Sequence, residues 1–79
     1  MTQAEHALET ITPYLNRMRP EERDVKRTDV WLEMIPYAEG FDREATAEAD
    51  PSDTNEIAAF ADGSQLWWNH SLKRWEAGP

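Results

Sequence analysis

Apolar residues recur near the start of the chain at Ala4, Ala7, Leu8, Ile11, Leu15 and Met18. That spacing follows the 3.6-residue period of a helix with one apolar face, and it predicts a helix over residues 2–19. Thr2 and Glu5 stand at its start with the spacing of a capping box, in which each side chain satisfies the other's backbone N–H. Pro13 interrupts the pattern. Inside a helix it deletes one hydrogen bond and crowds the preceding turn. Either the helix kinks there, or Thr12 caps a second short helix with Pro13 at its first position. Both arrangements keep Ile11, Leu15 and Met18 on one side.

Arg19-Pro20-Glu21-Glu22 is a second helix start, because proline suits the first position and acids in the first turn oppose the helix dipole. The pattern that follows is weaker. Val25, Leu32 and Ile35 share a helical face. Yet Val30, Trp31, Ile35 and Tyr37 are strong strand formers, so residues 30–37 read as helix or as strand. Pro36 and Gly40 end either element. Residues 40–55 hold few large apolar side chains. Arg43 to Ala49 reads as a weak edge strand or as a loop, and Pro51-Ser52-Asp53-Thr54-Asn55 as a turn cluster.

From Glu56 to Ala77 the pattern changes to short apolar runs separated by turn residues, as in an antiparallel β-ribbon. Asp62-Gly63 is the strongest local signal, a dipeptide suited to a two-residue hairpin turn with positive φ. Pairing Ala61 with Ser64 sets Phe60 opposite Gln65, Ala59 opposite Leu66, Ala58 opposite Trp67 and Ile57 opposite Trp68. A second turn at His70-Ser71 sets Trp68 opposite Lys73, Trp67 opposite Arg74 and Leu66 opposite Trp75. Side chains alternate across a strand, so this register sorts the residues into two faces. Ile57, Ala59, Leu66, Trp68 and Trp75 form an apolar floor for the N-terminal helix. Phe60, Trp67, Leu72 and Arg74 lie opposite, with the Arg74 guanidinium beside the Trp67 indole. A three-residue second turn would move Trp75 to that other face.

Composition and charge narrow the function classes. A chain of 79 residues makes one domain and buries only about 60 % of the surface its unfolded form exposes. There is no Cys, so neither a disulfide nor a thiolate metal site can form. No run approaches the ~18 apolar residues of a membrane span. The first residues lack the basic start and apolar stretch of a secretory signal, so a soluble, cytoplasmic protein is expected. Net charge is −8, and residues 29–62 carry ten acids against Arg43 alone. This balance disfavours direct binding to nucleic acid, where affinity rests on neutralising phosphates. The acids read as a solubilising surface, as adaptation to a salty cytosol, or as a surface that competes for a basic partner. Six Arg against only two Lys bear on the second reading.

Leu66-Trp67-Trp68-Asn69-His70-Ser71, followed by Trp75-Glu76 and Pro79, resembles the back half of a WW domain. The resemblance implies a site for proline-rich peptides at Trp68, His70 and Trp75. It departs from the family in its short second turn, and in Ile57 and Ala58 standing where the family has its first Trp. Metal binding has little basis, since His6 and His70 are far apart and Asp50, Asp53, Asn55 and Glu56 lack the spacing of a calcium loop. His70-Ser71 has no third group to orient it for catalysis, and no glycine-rich phosphate loop is present.

The expectation is an α+β domain: one or two helices from residues 2–39, an acidic loop or edge strand over 40–55, and a tryptophan-rich β-ribbon over 56–77. The expected function is non-enzymatic, without cofactor or metal. A regulator, inhibitor or accessory subunit would contact another protein through Phe60, Trp67 and Arg74, a mix enriched at interface hot spots. The alternative is an acidic mimic of nucleic acid that occupies a basic partner through Glu39, Asp42, Glu44, Glu48, Asp50, Asp53 and Glu56. Neither membrane nor nucleic acid is an expected partner. An exposed ribbon edge leaves monomer and dimer both open.

Overall fold

The computed structural model describes residues 1–19, 21–22, 30–51 and 55–78. It is an α+β fold in which an N-terminal helix packs on a C-terminal three-stranded antiparallel sheet. Helix α1 spans Gln3–Leu15. Thr2 caps it, with Glu5 N donating to Thr2 Oγ1 at 3.1 Å and Thr2 N donating to Glu5 Oε1 at 3.2 Å. Pro13 lies inside the helix, which ends two residues later. Thr12 starts no second helix, because its hydroxyl donates back to the Leu8 carbonyl at 2.6 Å.

Residues 30–33 are helical and run into a 3₁₀ turn at Ile35–Tyr37. The strand alternative for 30–37 is therefore overturned. The expected apolar face is also corrected. Val30, Trp31 and Ile35 are buried, whereas Leu32 is 63 % exposed. Val25 lies outside the described residues, as do Ser52 to Thr54 of the expected turn cluster.

Arg43–Ala49, expected as edge strand or loop, is helix α2. Alanine and glutamate favour helix, and Asp42 caps the start, its carboxylate accepting from Ala45 N at 2.9 Å. The meander is accordingly shorter than expected and begins at Ile57. Strand β1 is Ile57–Ala59, β2 is Gln65–Asn69 and β3 is Arg74–Gly78, in the order β1-β2-β3.

The core lies between α1 and the sheet. Ala4, Ala7 and Ile11 of α1 meet Ala58, Phe60, Leu66, Trp68 and Trp75, with Val30, Trp31 and Ile35 closing the side. Small residues at positions 4 and 7 let the helix backbone come close to the sheet. Edge-to-face aromatic pairs reinforce the core: Trp31 with Phe41 at 5.6 Å, Phe41 with Phe60 at 6.2 Å, and Trp68 with Trp75 at 5.6 Å.

Candidate interaction surface

The register of the ribbon decides which side chains face outward, and it differs from the expected one at both turns. In the first hairpin Ile57 pairs with Trp67, Ala58 with Leu66 and Ala59 with Gln65. Phe60 N donates to Ser64 O, and Gly63 N to Phe60 O, both at 3.0 Å. The connection is thus a three-residue loop, Ala61-Asp62-Gly63, with φ +88° at Gly63. This is the tight turn plus bulged glycine that commonly closes such loops. Asp62 does not take the positive φ that a two-residue turn requires.

Asp62 has another task. Its carboxylate accepts from Gln3 N at 2.8 Å, and Ser64 Oγ accepts from Ala4 N at 3.0 Å. The Gln3 side chain returns a bond, its Oε1 accepting from Asp62 N at 2.9 Å. Together with Thr2, these residues satisfy the first three amides of α1, which have no partner within the helix. Ser64 N and Oγ both donate to Asp62 Oδ1. These bonds to the ionised form, that from Gln3 foremost, hold the Asp62 carboxyl below the usual aspartate range. The backbone and side-chain bonds from Thr2 do the same for Glu5. The Gln3 side chain packs directly over Gly40 (φ +79°), where any Cβ would meet its amide at 2.2 Å.

A one-residue shift flips every side chain of β1. Phe60, expected on the outer face, is 3 % exposed and belongs to the core. It is therefore no contact residue. Ile57 moves outward and sits half-buried beside Trp67. In the second hairpin Trp68 pairs with Trp75, Trp67 with Glu76 and Asn69 with Arg74. The turn is four residues long, His70 to Lys73. Asn69 Oδ1 accepts from both Ser71 N and Leu72 N at 3.0 Å, and Lys73 takes φ +52°. This shift is by two residues, so Trp75 stays on the core side with Trp68.

The outer face therefore carries Ile57, Trp67, Arg74 and Glu76. Trp67 is 37 % exposed, while the other three tryptophans are each at most 7 % exposed. Its indole Nε1 lies 3.5 Å from where a Cβ on Gly78 would stand. Arg74 is exposed, but its guanidinium is tied to Glu76 by a 2.9 Å bond from Nε and does not lie on the indole. The WW-like reading is corrected by the same geometry. Trp68 and Trp75 are buried against α1 instead of standing on the open face of the ribbon.

The acidic residues are dispersed. Asp42 caps α2, and Glu56 accepts from His70, with Nε2 at 3.1 Å. Glu44 and Glu48 are exposed on α2, Glu39 is exposed before it, and Asp50 ends it. Asp53 lies outside the described residues. Among the described residues no group of three metal-ligating side chains forms, and no helix is long and apolar enough to cross a membrane. A cleft of about 230 Å³ lies between α1 and the second hairpin, lined by Leu8, Leu15, Trp68, Lys73 and Trp75 among others. That is below the ~300–1,000 Å³ of ordinary small-molecule sites.

Comparison with protein-family models, curated proteins and solved structures finds no match to this chain.

Proposed function

We propose that this chain is a non-enzymatic protein–protein interaction module, a small regulator, inhibitor or accessory subunit. It engages its partner through the outer face of the sheet, with Trp67 as anchor and Arg74 on the same face. One observation carries the reading: Trp67 alone among the tryptophans faces outward, more than a third exposed, in a domain that buries the rest. Tryptophan and arginine dominate interface energetics because a large flat ring excludes water while a guanidinium supplies directional bonds.

The test is affinity capture from native lysate with wild type and with Trp67→Ala. Wild type should retain a partner that the variant loses. The variant's stability should stay within about 1 kcal/mol of wild type, as for a partly exposed position. A partner held equally by both proteins would refute the role of Trp67. Unfolding of the variant would return the ring to the core.

A further inference from the structure

The two edges of the sheet are finished differently. In an antiparallel sheet, alternate residues of an edge strand point their N–H and C=O away from the neighbouring strand. On β1 and its extension these are residues 57, 59 and 61. Ala59 N donates to Thr46 Oγ1 at 2.8 Å, Ala59 O accepts from Asp42 N at 2.9 Å, and Ala61 N donates to Gly40 O at 2.8 Å. Helix α2 and the bridge between Phe41 and Phe60 thus close most of that edge. On β3 the bond from Trp68 N to Glu56 O fixes the alternation. It directs the backbone groups of residues 65, 67 and 69 of β2 toward β3, so the N–H and C=O of Trp75 and Ala77 in β3 point away from β2 along the sheet edge. Among the described residues nothing bonds to the outward amides of Trp75 and Ala77.

We propose that β3 pairs antiparallel with β3 of a second copy of this chain, forming a two-fold dimer with a continuous six-stranded sheet. Charge selects both the occupant and the register. Arg74 and Glu76 stand either side of Trp75 on the outer face. When Trp75 faces its own copy across the axis, each Arg74 falls opposite Glu76 of the other copy, twice by symmetry. Opposite charges directly across a strand pair are favourable, and like charges are not. Sliding by one pair sets Glu76 against Glu76, so the charges reject that alternative. In the favoured register Trp75 exchanges both backbone hydrogen bonds with its copy. The paired stretch is Arg74 to Glu76, because Lys73 takes φ +52° and leaves the strand. The pairing uses the edge and leaves Trp67 on the outer face.

Sedimentation velocity over about 10 µM to 1 mM tests this, because a short two-strand contact gives a concentration-dependent dimer. Wild type should dimerise. Glu76→Arg places like charges opposite each other twice and should weaken the dimer at least about tenfold. Combining it with Arg74→Glu restores opposite charges in the same register and should restore association. Ala77→Pro is the backbone control. Proline is tolerated where an edge N–H faces solvent, but its ring obstructs an approaching strand. It should give a folded monomer by circular dichroism. A wild-type protein monomeric throughout the range would overturn the proposal. So would a dimer indifferent to both Glu76→Arg and Ala77→Pro, or a charge-swapped double variant that folds and stays monomeric.

Discussion

Three residues tie the start of α1 to the first hairpin turn: Gln3, Asp62 and Ser64. Ser64 is buried, and its hydroxyl is the acceptor for the Ala4 amide. Ser64→Ala leaves that amide buried without a partner, which should cost about 1–3 kcal/mol in chemical denaturation. Asp62 provides the electrostatic half. Its folded carboxyl releases its proton more readily than the unfolded one, and Glu5 behaves alike. Their contribution is complete above the unfolded value, near pH ~4, and is lost as the pH falls through the folded value. Asp62→Asn should therefore be less stable than wild type at neutral pH. The two midpoints should converge as the pH falls through the folded value. Thermal melts across that range will show it; parallel curves would mean that Asp62 stabilises the turn by shape alone.

At the scale of elements, one hydroxyl is part of the seal on β1. Thr46 is almost wholly buried in α2, and its Oγ1 accepts from the Ala59 amide. Thr46→Val keeps the shape and removes the acceptor, so it should cost about 1–3 kcal/mol in denaturant melts. Much at this scale was readable beforehand: the capping box of α1, its buried Ala4, Ala7 and Ile11, the ribbon, and the division of Trp68 and Trp75 from Trp67. Each of these rests on local spacing. What was not readable depends on which side-chain contacts form. The first turn uses three residues because Asp62 is engaged by Gln3 rather than held at positive φ, and that one residue carries Phe60 into the core. The second is long because the Asn69 side chain accepts two turn amides. Helix α2 had a visible signal, Asp42 before an Ala- and Glu-rich run, but the absence of large apolar residues hid it. Leu32 points outward because neighbouring Trp31 takes the buried position.

For the molecule as a whole, charge and the order of synthesis matter most. Sixteen acids against eight bases repel one another in a small volume. Screening shortens that repulsion to about 8 Å at physiological ionic strength. Raising sodium chloride from about 10 mM to 150 mM should therefore raise the thermal midpoint, most of the gain coming before the upper value. A midpoint that climbs steeply into molar salt would instead mark adaptation to a saline interior. The bonds from Asp62 and Ser64 to the start of α1 have a further consequence. Helix α1 leaves the ribosome before its start can be completed, by a turn made some sixty residues later. A nascent chain stalled before Asp62 has no acceptors for two of its leading amides, and its apolar stripe has no sheet to cover. Helix α1 and the ribbon should thus gain protection together, in one step, once β3 is out.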